Sequence, residues 1–163
     1  MSRYPDYGEF FMEQNVEINQ YILKFSIAYI IGLVALAAIF YFLDLDGGSG
    51  ASIGALIGAA MYSSGKFIEE NKRIPNKVEK SKLVWLSLLL SWVVSIILVV
   101  IFVLVFDGFE GLFELSNLML ELNAIVIFGI LFFVSLLHFL ALYWCYGGLA
   151  KKQCEGLKKK GKI

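Results

Sequence analysis

Three groups of residues in this chain have the types and spacing to do chemistry. The first is Gly47 to Lys66, GGSGASIGALIGAAMYSSGK, glycine-rich and closed by a lysine in the manner of a phosphate-binding loop. Such a loop needs GxxxxGK[ST], so that backbone amides wrap the phosphates. Here Gly65-Lys66 is followed by Phe67, and Ala60 stands where the first glycine belongs. The dinucleotide fingerprint GxGxxG fails as well, since Ile53 takes the third glycine position after Gly48-Ser49-Gly50, and no hydrophobic strand leads in. The spacing reads instead as a helix. Gly50, Gly54 and Gly58 recur every four residues and Tyr62 continues the row. A strip without side chains lets another backbone approach closely, so the row is expected to seat a helix, within the chain first and between two copies as the alternative.

The second group is His138, the single histidine, with Ser87, Ser91 and Ser95 at four-residue spacing. An ionisable group inside a membrane is a functional candidate. A neutral His138 bonded to Ser95 or Ser91 would join two helices. A proton relay is the sharper alternative, but no intramembrane acid accompanies the histidine. The third group is Glu110, Glu114, Asn117 and Glu121, one face of a helix whose other side carries Leu112, Leu115, Met119 and Leu122. Interfacial helices are usually basic. An acidic one is either a solvated connector or a docking surface for a basic partner. Cys145 and Cys154 form no CxxC or Cys/His cluster, so no metal is expected and no cofactor either.

The elements that must position these residues are membrane spans. The chain has 163 residues, 59% of them hydrophobic and 17% charged, against roughly half apolar and a quarter charged in soluble domains. Phe25 to Leu43, Leu83 to Phe106 and Ala124 to Ala150 contain no charged residue. Crossing ~30 Å of hydrocarbon takes about 20 helical residues, and each run is near that length or beyond it. No cleavable leader is expected, because the first 24 residues carry Asp6, Glu9, Glu13 and Glu17 and apolar continuity starts only near Phe25.

The expected architecture is all-α: a bundle of four transmembrane helices at 25–43, 49–68, 83–106 and 124–149. A helical segment at 1–24 precedes it, with Glu9, Glu13, Glu17, Gln20 and Lys24 on one face. A short acidic interfacial helix at 108–122 and a basic tail at 150–163 complete it. The second span is short and relies on Lys66 reaching out to the interface. All 14 basic residues fall in the N-terminal segment, between spans two and three, or in the tail. The remaining loops hold Asp44, Asp46, Asp107, Glu110, Glu114 and Glu121 without a base. The basic side is cytoplasmic, so both termini lie inside. Both cysteines then face a reducing compartment and stay unpaired. The tail KKQCEGLKKKGK is expected on anionic lipid rather than nucleic acid. Tyr41, Phe42, Trp85, Tyr143 and Trp144 mark the interfaces.

The junction Met61 to Ser91, MYSSGKFIEENKRIPNKVEKSKLVWLSLLLS, carries a resemblance. A helix ends in a small-residue turn and a lysine-aromatic pair. Arg73, Pro75 and Glu79 follow, then basic residues and the next span. This layout resembles the ABZJ-type family of small four-helix bacterial inner-membrane proteins. The resemblance implies a compartment, the bacterial cytoplasmic membrane, and a fold. It implies no reaction. From the residues themselves, Pro75 at N1 or N2, or Asn76 as a cap, would start the third helix, and Glu79 would pair with Lys80 or Lys82.

No nucleophile–base pair, metal set or cofactor motif is present, so a non-catalytic role is expected: binding another membrane or membrane-inserting protein. The narrower expectation is an immunity protein that neutralises a membrane-acting bacterial toxin. A transporter or channel component, oligomeric through the glycines, and an assembly factor of a larger complex are the rivals.

Overall fold

A computed structural model of the chain describes residues 16–43 and 50–163. The expectations placed on Arg3, Glu9, Glu13, Asp44, Asp46, Gly47 and Gly48 lie outside them. The described residues are helical almost throughout, with no strand among them. Helices α1 (Ile18–Phe42), α2 (Gly50–Asn71), α3 (Lys77–Phe106), α4 (Gly108–Glu121), α5 (Ala124–Trp144) and α6 (Ala150–Lys159) follow in order. A five-residue π-helical turn, Cys145–Leu149, joins α5 to α6 without a break.

Three stretches are long and apolar enough to cross a membrane: Ile18–Phe40, Lys77–Phe106 and Ala124–Lys159. Helix α2 is not among them. Its glycines, alanines and serines lower its hydropathy, and Lys66, Glu69 and Glu70 occupy its last turns. Helix α1 runs through position 25 without interruption, so the N-terminal segment and the first span share one rod from Ile18.

Local signals set the helix ends. Asn76 caps α3 by accepting from the Glu79 amide, and the Glu79 carboxylate accepts from the Asn76 amide in return. This reciprocal box satisfies two amides that the helix itself leaves unpaired. Asn123 caps α5 with a single bond, accepting from the Ile125 amide. Between α3 and α4 the chain turns sharply at Gly108, whose φ of +69° suits glycine. Gly111 is equally constrained, because a Cβ there would run into the Asp107 side chain.

Helices α1, α2, α5 and α3 touch in that cyclic order, and α6 continues from α5 alongside α2. The buried residues of the ring gather at one end. They are Tyr21, Phe25 and Tyr29 from α1, Leu56, Ala59, Ala60 and Phe67 from α2, Leu83, Val84 and Leu88 from α3, and Leu142, Cys145 and Tyr146 beyond them. Every lysine and arginine of the described residues sits at that same end, here the basic end. Asp107 and the acids of α4 mark the opposite, acidic end. Ala150 and Cys154 pack on Ile68 in a smaller cluster, so the tail is a docked helix.

Candidate functional site

The glycine row seats no helix among the described residues. Gly50, Gly54, Gly58 and Tyr62 are exposed, and a Cβ built on any of the three glycines meets nothing within 4 Å. The close approach occurs on the next stripe round the helix, where Ala55 and Ala59 are buried. Gly32 of α1 faces Ala55 so closely that an added Cβ would lie 3.4 Å from its Cβ. Small residues do let two backbones meet, but alanine supplies them on the α2 side and the glycines look outward.

His138 does not bond to the serine stripe. Its Nδ1 lies 2.8 Å from the Val134 carbonyl oxygen of its own helix. Ser95 pairs instead with the Tyr29 hydroxyl at 3.2 Å, Ser91 donates to the Leu88 carbonyl, and Ser87 pairs with the Tyr146 hydroxyl at 3.1 Å. Phe139 packs on Trp85, which sets His138 well toward the basic end from Ser95. A serine in a helix readily turns its hydroxyl onto its own backbone, and tyrosines from α1 and the π turn reach deeper than an imidazole can. What His138, Ser91 and Ser95 do share is a groove of about 660 Å³, which also takes in Ser52, Trp92 and apolar side chains up to Phe106. The groove is open along its side, where Val34, Val99, Phe102 and Val105 are exposed. A carbonyl oxygen accepts only, so Nδ1 carries the proton that bonds it. The tautomer protonated on Nδ1 alone leaves Nε2 as an acceptor. No other bond of His138 is found among the described residues.

At the basic end the hairpin residues come together. Arg73 holds Glu79 with two parallel bonds of 2.7 Å, Nη1 to Oε2 and Nη2 to Oε1. This corrects the expected pairing of Glu79 with Lys80 or Lys82. A capping-box glutamate points back beyond the helix start, toward Arg73 and away from the following lysines. Pro75 is buried and precedes the cap, so it lies before the helix rather than within its first turn. Lys80 lies 3.2 Å from the centroid of the Tyr143 ring. A Cβ on Gly147 would come within 2.6 Å of the Lys80 ammonium, so Lys80 lies directly over the π turn.

Beside this hairpin is a network that sequence reading missed. Tyr21 donates to Glu70 at 2.8 Å and accepts from Asn71, while Lys24 pairs with the other oxygen of Glu70. Ser63 donates to the Tyr21 carbonyl. The Lys24 ammonium, and after it the Tyr21 hydroxyl, hold the Glu70 carboxyl below its ordinary range. The available signal was Tyr21, Phe25 and Tyr29 at four-residue spacing, an aromatic stripe that the run of apolar residues around it concealed.

On α4, Glu110, Glu114 and Glu121 are all exposed, and no residue of the helix is buried. Its extensive contacts are with α3. Phe109, Phe113, Leu118 and Met119 are exposed too, so apolar as well as acidic side chains of the helix lie open. Both cysteines are buried free thiols. No family model, no curated protein and no solved structure matches this chain.

Proposed function

We propose that this is a small four-span protein of the bacterial cytoplasmic membrane, related to the ABZJ-type proteins, with both termini inside and no catalytic role. It works by binding another membrane-embedded protein. One observation carries the reading: three surfaces suited to helix contact are open outside the buried core. They are the glycine row, the His138 groove and α4. A polar atom facing hydrocarbon is costly unless it is bonded, so the groove favours a span that brings a hydroxyl or amide donor to His138 Nε2. Segregation of charge along the helices supports the orientation, since basic loops face the cytoplasm. Helix α2 serves as the fourth span because it lies in the ring beside α1 and α5 and its glycines need a neighbour, not water. The acidic helix supplies charge complementarity, which gives specificity and steering more than raw affinity. Neutralising a membrane-acting toxin by occlusion asks for these properties and for no chemistry.

Photo-crosslinking in the native host tests it. A photoreactive residue at Gly54, at Val99 in the groove and at Phe109 on α4 should each give adducts with one and the same foreign protein. Changing Glu110, Glu114 and Glu121 to Lys should abolish the α4 adduct. Adducts with the protein's own copies alone would instead mean a homo-oligomer and favour a channel, to be followed by liposome flux. Adducts with subunits of one large complex would favour an assembly factor.

A further inference from the structure

At the basic end a second, smaller cavity of about 300 Å³ lies where the α2–α3 turn meets α6. Lys72, Arg73 and Ile74 line it from the turn, and Lys151, Cys154, Glu155 and Lys158 from α6. Four bases and one acid thus converge from segments far apart in sequence. Two of the bases are held in place by their own bonds. Arg73 is fixed by Glu79, and the Lys72 ammonium bonds the Lys162 carbonyl oxygen at 3.2 Å. Lys72 also adopts a φ of +57°, a left-handed conformation that a non-glycine residue holds at a cost and that clusters at functional positions. Neither Lys151 nor Lys158 is in an ion pair among the described residues. Ile74 is an exposed apolar side chain in the wall of this charged pocket.

We infer that this pocket binds the phosphate of an anionic phospholipid headgroup. Excess positive charge selects an anion, and lysine ammonium groups bind phosphate as point charges. Basic pockets between helices on the cytoplasmic side take anionic headgroups. The exposed Ile74 favours a headgroup that continues into hydrocarbon over a free ion. The site differs from diffuse attraction of the tail to a charged surface, because Lys159 and Lys160 carry the same charge next to it and lie outside the pocket. It also stands apart from partner binding, which the glycine row, the His138 groove and α4 carry, although it rests on the chain crossing a membrane.

Native mass spectrometry of the full chain in mild detergent, with phosphatidylglycerol or phosphatidylcholine added, tests this. The wild-type protein should retain single phosphatidylglycerol molecules and not phosphatidylcholine. Lys151→Gln with Lys158→Gln should weaken retention about tenfold or more, the worth of a charge-assisted hydrogen bond. Lys159→Gln with Lys160→Gln should leave it unchanged, and Lys151→Arg with Lys158→Arg should keep it. Equal losses in the two Gln pairs, or retention without preference between the lipids, would overturn the site. Inorganic phosphate is the second probe. If it raises the melting temperature as much as phosphatidylglycerol does, the pocket takes free phosphate and the lipid assignment fails.

Discussion

The two halves of the helix ring differ more in packing than in hydrophobicity. Phe25, in the basic half, is 0% exposed, and Phe128, in the acidic half, is 72% exposed. Both lie in charge-free runs. Lipid tails are as apolar as leucine or phenylalanine, so apolar area alone does not drive helices together in a membrane. Association comes from close packing over small residues and from interhelical hydrogen bonds. The basic half has both. Gly32 meets Ala55, while Ala59, Ala60 and Ser63 are buried. Tyr21, Tyr29 and Tyr146 span between helices through Ser95, Ser87 and the Glu70 network. Beyond Ser95 the second half of α3, and the first half of α5, are mostly Leu, Ile, Val and Phe, and most of these side chains are exposed. A packed half that holds the fold and an open half whose apolar side chains stay exposed is the division this teaches.

Matched substitutions break or sharpen that division. Phe25→Ala should cost about 2–3 kcal/mol in a mixed-micelle unfolding titration, because a cavity opens in a packed site, whereas Phe128→Ala should change stability little. Equal costs would mean that the acidic half is packed after all. Ala59→Leu should destabilise by about 1–3 kcal/mol through overpacking. Its neighbour Gly58→Leu should leave the isolated protein folded and stable, and a loss of partner crosslinks there would sharpen the contrast further.

Arg73→Ala should cost about 1.5–3 kcal/mol, the scale of hydrogen bonds to charged groups, by stripping the partly buried Glu79 carboxylate of its fork. Loss should show as fraying of the start of α3 in hydrogen exchange. A pH titration probes the Glu70 network. Its carboxyl is held low in the folded protein. The stabilisation is therefore complete above the ordinary carboxylate range and is lost as the pH falls through the folded value. Glu70→Gln should remove this acid limb without changing stability near neutrality by much, since the site is partly exposed. The smallest effect belongs to Tyr29→Phe, about 0.6 kcal/mol, the average for an interhelical bond in lipid, read as a shifted unfolding midpoint.

Much of this was legible in the residues. The charge-free runs, the basic and acidic poles, Asn76 as a cap and the amphipathic α4 follow from composition and spacing, because they express contrasts between polar and apolar groups. Three features were not. The glycine row looked like the packing face, but Ala55 and Ala59 took that role. His138 and Ser95 looked like partners, but Tyr29 reached Ser95 first. Glu79 chose Arg73 over the adjacent lysines. In each case several residues of suitable chemistry competed within one turn or two, and spacing alone does not rank them.

The sequence by itself determined that the chain is helical, that three of its segments are long and apolar enough for a membrane, and where charge concentrates. Those properties depend on local hydrogen bonding and on transfer of side chains between water and hydrocarbon, which each segment settles alone. Only the tertiary structure decided which stripe of α2 faces α1, that the ring closes at the basic end and opens at the acidic end, and that the α2–α3 turn and α6 share a cationic pocket. A helix in lipid has no wet face to betray its dry one, so its orientation is fixed by steric fit and a few hydrogen bonds to residues far away in the chain.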